Sequence, residues 1–260
     1  MILQRDDSPS RLYIPQSKIK MGIIRIPRPQ LTRRQILQIS GLPWLNFLLG
    51  GCGTPIFEDV AGKLSEPLNQ KVESLIFQPQ KLVPEFSRNQ IESNALIVNT
   101  FRDTPIIDIE KYRLIVDGEV NNPLNLSMKE IQALPLTSMI IRHICVEGWA
   151  AIVEWAGVQM SEIVALAQPK ETVKYAYFLS GDSYYSSWDI ASAVHPQTLL
   201  AYQKNGELLP VDNGAPLRLA SPIKLGYKQS KWVIRITLVS NLSVYKGYWE
   251  DQGYEWFAGV

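Results

Sequence analysis

From about Asn99 onward the apolar residues fall into short strand-length runs, broken by short helical patterns and without a regular strand–helix–strand rhythm. That pattern suggests a mixed α+β domain. Tyr112 to Gly118 reads as a strand running into a turn, and Ser138 to Val146, Lys174 to Ser180 and Trp232 to Val239 read as further strands. Ser127 with Glu130 has capping-box spacing ahead of Ile131 and Leu134, the apolar side of a short helix. Ser161 is placed to cap a second helix holding Ile163, Val164 and Leu166, which Pro169 follows. Residues 53–95 lack periodicity and read as an extended linker with one or two short helices. No internal repeat or low-complexity segment appears.

The charge is divided unevenly along the chain. Residues 1–51 hold eight basic and two acidic residues; from Cys52 onward there are 18 basic and 23 acidic ones. A basic leader on a mildly acidic body reads as targeting, and it argues against nucleic-acid binding by the body. Arg33 and Arg34 precede a modestly apolar run to Gly51 that contains Gly41, Pro43 and Asn46. The run is too short and broken to span a bilayer comfortably, which takes roughly 20 apolar residues. It suits a secretory signal, and the arginine pair resembles a twin-arginine one. The alternative is an amphipathic surface helix that happens to begin with two arginines. Leu49-Gly50-Gly51-Cys52 looks like a bacterial lipobox, with Cys52 the site of lipidation; otherwise it is a Gly-rich loop with an unmodified thiol. Met21 is a plausible initiator. The expected division is 1–51 signal, 52–95 linker and N-terminal extension, and 96–260 the functional domain.

Cys52 and Cys145 are the only cysteines, so no disulfide framework is possible. In the strand leading to Cys145, alternation puts Met139, Ile141, His143 and Cys145 on one face. Glu147, Gly148 and Trp149 follow at once. Such a strand end can present a thiolate to a ligand, although a lone cysteine in an apolar strand can equally be a small core residue. A second cluster holds His195, then Asn213-Gly-Ala-Pro-Leu-Arg218, then Lys224-Leu-Gly-Tyr-Lys-Gln-Ser-Lys231. Gly226 begins a loop with Lys228, Gln229, Ser230 and Lys231. Backbone N–H groups, a hydroxyl and lysines suit a phosphate there; a basic surface hairpin is the alternative.

Taken together, Arg142-His-Ile-Cys-Val-Glu-Gly-Trp149, Asn213–Arg218, Lys224–Lys231 and the ending Gly247–Phe257 resemble the sulfite oxidase superfamily. Within it, the nearest branch is that of the periplasmic methionine-sulfoxide reductase catalytic subunits. The resemblance covers roughly residues 96–260, in order and spacing. It implies a sulfite-oxidase-type molybdopterin-binding fold and a molybdenum-molybdopterin cofactor (Mo cofactor). It places Cys145 at the metal-binding thiolate position and Asn213 and Arg218 at pterin-contacting positions. Gln229, Ser230 and Lys231 fall on the segment that grips the pterin phosphate. Ser180 stands where the reductase has a threonine, and Asn99 matches an early asparagine that reaches the pterin. A buried pterin also gives twin-arginine export a reason, since that route carries folded proteins.

The expected function is that of an exported, lipid-anchored periplasmic oxidoreductase. It transfers an oxygen atom to or from a small-molecule substrate such as a sulfoxide, with sulfite oxidation second. Electrons would be exchanged with a separate carrier, a membrane haem protein by the resemblance. Two rival readings stand beside it. One is a hydrolase pairing Cys145 with His195, for which no orienting third residue is evident. The other is a lipid-anchored binding protein that has lost the metal, against which the intact Cys145 speaks.

Overall fold

Among the described residues ten strands form two sheets, one mixed and one wholly antiparallel. In chain order they are β1 (Leu114–Gly118), β2 (Leu124–Leu126), β3 (Thr137–Ile144), β4 (Ala150–Gln159), β5 (Tyr175–Ser180), β6 (Tyr185–Asp189), β7 (Leu199–Lys204), β8 (Glu207–Leu208), β9 (Arg218–Ala220) and β10 (Val233–Val239). The computed structural model describes Val72, residues 77–243 and residues 246–260. Arg33, Arg34, the apolar run behind them and Cys52 lie outside the described residues.

The first sheet runs β2-β1-β10-β5-β6, with β1 parallel to β10 and the other pairs antiparallel. The second runs β3-β4-β7-β8, with β9 also pairing β7. Short helices connect the strands: α1 (Met128–Gln132), α2 (Met160–Ala167) and α3 (Ile190–Ala193). The mixed α+β class expected from the sequence is what is found.

The strand patterns explain the layering. Leu114 and Val116 of β1 and Ile236 and Leu238 of β10 enter the main core with Phe178 and Trp188. Val158, Leu200 and Leu219 of the second sheet reach the same core. The opposite face of that sheet, with Met139, Ile141, Val153, Trp155 and Leu199, forms a second core under Ala95 and Leu96. Strand β4 is buried along both faces, so its sequence is an apolar run, interrupted by Glu154, without the alternation that marks a half-exposed strand.

The capping box at α1 forms as the spacing predicts. Ser127 Oγ accepts from the Glu130 N–H, and the Ser127 N–H donates to Glu130 Oε2 at 2.8 Å. At α2 the expectation is corrected. Gln159 occupies the N-cap position and Ser161 lies inside the first turn. The helix starts early because it follows β4 directly, and the Met160 N–H is already taken by the Thr198 carbonyl.

The described part of the 53–95 segment is tied to the sheets. Arg88–Gln90 is a 3-10 turn. The Phe86 N–H donates to the Ile140 carbonyl and the Glu92 N–H to that of Ile152, each at 2.9 Å. Further up, the Gln197 carboxamide clasps Val83, accepting from its N–H at 2.8 Å and donating to its carbonyl at 2.9 Å.

Candidate active site

Strand β3 carries alternation to its end. Met139 and Ile141 fill the second core, His143 is buried behind them, and the chain then leaves the sheet at Cys145. A tight turn closed by the Cys145 N–H on the Trp149 carbonyl presents the cysteine, half-buried, to a cavity of about 400 Å³. Its lining includes Asn99, His143, Cys145, Asn213, Arg218, Gln229, Ser230 and Lys231. Residues from five separate stretches of sequence therefore meet at one point. Among the site residues expected from the sequence, Ser180 does not line the cavity. It is buried at the end of β5 with its Oγ unpartnered, while its near neighbours Asp182 and Tyr184 reach the wall. His195, set against Cys145 in the hydrolase reading, also lies outside the lining; its Nδ1 accepts from the Gln197 N–H at 3.1 Å.

One side of the cavity is a cluster of hydrogen-bond donors. Arg218 is buried in β9, where it donates to the Asn213 carbonyl at 2.8 Å and to the Leu219 carbonyl at 3.1 Å, with its guanidinium 4.4 Å from the centre of the Trp155 ring. It makes no ion pair among the described residues. Burial brings its pKa down to about 9, a large penalty for a group that ordinarily stays charged. Lys231 donates to the carbonyls of Asn99 and Asp212 at 2.6 and 2.9 Å. Burial and the nearby Arg218 charge lower its pKa to about 8, with Asp182 and Asp212 opposing them. Gly214, at φ +112°, lets the turn before β9 close on this pair: a Cβ there would lie 2.9 Å from Lys231 Cβ and 3.1 Å from Arg218 Cβ.

The loop from Gly226 to Lys231 divides its basic residues between two tasks. Lys231 faces the cavity. Lys228 does not: it is wholly buried, donates to the Ser187 carbonyl at 2.8 Å and pairs with the Glu250 carboxylate. Lys228 therefore departs from the phosphate-loop expectation, because the carboxylate that claims it sits in the C-terminal segment. Gln229 lines the cavity. Its carboxamide is engaged inward, accepting from the Ser221 N–H and donating to the Ser221 and Lys224 carbonyls.

The thiol has an acidic neighbour. Glu147 accepts from Asn99 Nδ2 at 2.7 Å, from Trp149 Nε1 at 3.0 Å and, more loosely, from Cys145 Sγ at 3.7 Å. Asn99 thus contributes to the site by holding a carboxylate and by giving its carbonyl to Lys231. Burial, and then the Glu147 charge, raise the thiol above its ordinary pKa. The bonds from Trp149 and Asn99 hold Glu147 below the usual carboxylate range. His143 is pushed down to about 3 by burial and by the Arg218 charge, so it is neutral near pH 7.

The solvent-facing rim is mixed. Ile97, Val98, Val146, Trp249 and Tyr254 line the cavity and also face solvent, beside the exposed Asn99, Thr100 and Glu147, and Phe101, Trp149 and Tyr184 add further rings to the lining. Trp249 and Tyr254 pack with ring centres 5.1 Å apart. The resemblance of the C-terminal ending carried a signal for these rings. Nothing in the sequence pattern marked Asp182, Tyr184 or Ile97 as wall residues.

Residues 101–249, more than half of the chain, match the family model described as the oxidoreductase molybdopterin binding domain. The chain belongs to that family. It is 36% identical over 240 residues to the putative protein-methionine-sulfoxide reductase subunit YedZ1 of Azospira oryzae, a match covering 91% of this chain and 89% of the relative. It is 30% identical to the protein-methionine-sulfoxide reductase catalytic subunit MsrP of Burkholderia mallei, covering 82% and 73%. Among solved structures, the sulfane dehydrogenase SoxCD from Paracoccus pantotrophus shares the fold, with a TM-score of 0.52 at 24% identity over 55% of this chain and 41% of that one. The chain is thus an oxidoreductase, and its cofactor is the molybdenum-molybdopterin group.

The residues at the cavity fit that group. Arg218 and Lys231 are cations in a partly dry site, which an anionic phosphate or dithiolene would compensate. His143 Nδ1 and Ser230 Oγ are buried without a partner. Among the described residues no three His, Cys, Asp or Glu side chains are placed to hold a metal.

Proposed function

We propose that this chain is an exported, membrane-tethered reductase that removes the oxygen of a sulfoxide, methionine sulfoxide above all, with Cys145 as the protein ligand of the molybdenum. The observation that carries the reading is the construction of the Cys145 cavity: Arg218 buried within it and Lys231 half-buried beside it, with apolar and aromatic side chains along much of the solvent-facing rim. The inner donors suit the anionic part of the cofactor. The mouth suits a thioether-sized side chain, since sulfur packs favourably against aromatic rings. The names borne by the relatives from Azospira oryzae and Burkholderia mallei point to the same substrate.

In this reading the bound cofactor supplies two-electron oxygen-atom transfer. The protein's part is to hold and screen. Cys145 supplies a soft thiolate, deprotonated on coordination. Asn213, Arg218 and Lys231 grip the pterin and its phosphate, with Ser230 and the Gln229 main chain closing the loop. Trp249, Tyr254 and Trp149 exclude water from the sulfur-bearing group. The overall reaction consumes two electrons and two protons, releasing the thioether and water. The electrons come from a separate carrier, for which a membrane haem protein is the proposed class.

Export and tethering rest on the sequence of the leader, with Arg33 and Arg34 as the export signal and Cys52 as the lipidated residue, leaving the domain in the periplasm on a lipid anchor. No helix among the described residues is long and apolar enough to cross a membrane.

The test is turnover. Protein made in a molybdenum-competent host, given a reduced viologen dye, should convert methionine sulfoxide to methionine and oxidise the dye in two-electron stoichiometry. Oxidation of sulfite without reduction of any sulfoxide would overturn the reading.

A further inference from the structure

Asn213 sits on the cavity wall at the end of the 3-10 turn Val211–Asn213 and is only 5% exposed. Its carboxamide has two chemically opposite ends. Oδ1 accepts from Lys204 Nζ at 2.9 Å. A lysine ammonium has donors and no acceptor, so the carboxamide end turned toward it must be the oxygen. The NH2 end is left without a hydrogen bond among the described residues. Lys204 itself is not a wall residue. It projects from the end of β7, just before the Asn205-Gly206 hairpin turn that leads into β8.

We infer that Lys204 is a positioning residue for the cofactor: it locks the Asn213 carboxamide so that its NH2, and not its oxygen, faces the cavity. The consequence is a stretch of wall that donates. Arg218 and Lys231 have donors alone, and the Asn213 NH2 adds a neutral donor on the same wall. An acceptor-rich group, such as a pterin carbonyl or a phosphate ester, meets no opposing lone pair there. Without Lys204 the carboxamide is free to rotate, and its oxygen can turn to Arg218 or Lys231 and compete with the ligand for their protons. The Asn213 main-chain carbonyl is already held by Arg218 at 2.8 Å, so it is the side chain that Lys204 decides. This inference rests on the cofactor, not on the identity of the substrate.

The experiment reads cofactor retention instead of turnover. Wild type, Lys204→Met, Asn213→Ala and the double variant are purified from a molybdenum-competent host, and molybdenum and pterin per chain are measured through successive dilution and re-concentration. The thermal midpoints of the same four proteins are measured after production in a host that makes no pterin. Lys204→Met should lose cofactor about three- to tenfold faster than wild type, the scale of one oriented hydrogen bond. In the Asn213→Ala background the same change should add nothing, because the side chain through which Lys204 acts is gone. Cofactor-free midpoints should differ little. An equal loss in both backgrounds, or no loss in either, would overturn the inference. If Lys204→Met does not fold, Asn213→Asp carries the test. It keeps an oxygen for Lys204 and replaces the NH2 by a second acceptor, so cofactor should be lost from a stable protein; full retention overturns the inference. Wild type that holds molybdenum but reduces no sulfoxide leaves the inference standing and removes only the proposed substrate.

Discussion

Cys145 Sγ lies 3.7 Å from Glu147 Oε2, the same oxygen that takes hydrogen bonds from Asn99 and Trp149. The carboxylate is therefore pinned beside the thiol instead of sweeping through solvent. In protein lacking cofactor it should disfavour the thiolate, together with burial, which is the larger cause. Iodoacetamide attacks the thiolate. Cys145 in cofactor-free protein should be alkylated more slowly at pH 8 than an unhindered thiol. Glu147→Gln removes the charge and keeps the shape, so the rate should rise severalfold and its pH profile should shift to lower pH. An unchanged profile would show that Glu147 exerts no field on the thiol.

With cofactor bound, the same thiol becomes the proposed metal ligand. Cys145→Ser should yield a folded protein with greatly reduced turnover, because an alkoxide or hydroxyl is a harder and weaker donor than a thiolate. The electron paramagnetic resonance signal of Mo(V) is the measurement to make. It should change in the serine variant, and a signal identical to wild type would remove Cys145 from the metal.

Lys228 and Glu250 form a buried pair linking the Gly226–Lys231 loop to the C-terminal segment, both side chains fully shielded from solvent. Removing Glu250 takes away the only carboxylate in contact with the buried Lys228 among the described residues, leaving Asp189 and Glu255 to act on it at longer range. Glu250→Ala should cost about 3–5 kcal/mol of unfolding free energy, the usual scale for a broken buried pair. Replacing both, Lys228→Met with Glu250→Leu, should recover much of that. Urea midpoints of the three proteins decide it. A double variant no better than the single one would mean that the pair is bound into a larger polar network.

How much of this could be read beforehand depends on where each residue's partner lies. The Ser127–Glu130 box was legible because both members fall within one helical turn. The Met139, Ile141, His143, Cys145 series was legible because a strand's period of two survives to its end. Strand β4 was not, since burial on both faces erases the alternation. Lys228 and Lys231 look equivalent in the sequence, yet Glu250 draws one into the core, and no local pattern announces a partner 22 residues on. Lys204 and Asn213 illustrate the same point: their relation exists only once β7 and the turn before β9 are brought together.

The leader is tested apart from the domain. Arg33 and Arg34 changed together to Lys keep the charge and remove the guanidinium pair, so a receptor that reads arginine should fail. The protein should stay in the cytoplasm with cofactor bound. Cys52→Ala, by contrast, should be exported but released in soluble form, with near-normal turnover, because acylation alone is proposed to hold it to the membrane. Fractionation and the mass of the mature N-terminus are the measurements. Normal export of the lysine variant sinks the first assignment, and an unmodified Cys52 in wild type sinks the second.

Lys231→Glu separates the cofactor's phosphate grip from its metal. Lys231 is held by the carbonyls of Asn99 and Asp212 on the cavity wall, so its ammonium is fixed in place. It makes no ion pair among the described residues, and the Asp182 and Asp212 carboxylates act on it only at longer range, which leaves it able to hold an anion. Reversing its sign replaces attraction by repulsion in a partly dry site, where a pair of charges a few ångströms apart interacts by several kcal/mol at intermediate dielectric, on the order of 4 kcal/mol at 4 Å. Solvent reaching the half-buried lysine weakens that figure, and a loss of cofactor affinity of about tenfold or more is the outcome to expect, tenfold being about 1.4 kcal/mol. The fold should suffer less, because a glutamate merely gives up two hydrogen bonds near the surface. Molecules that keep cofactor should show a nearly normal Mo(V) signal and nearly normal turnover per metal, since Cys145 is untouched. Pterin and molybdenum per chain, read beside circular dichroism, decide the matter: full occupancy in a stable variant would mean that the Gln229–Lys231 loop holds no phosphate.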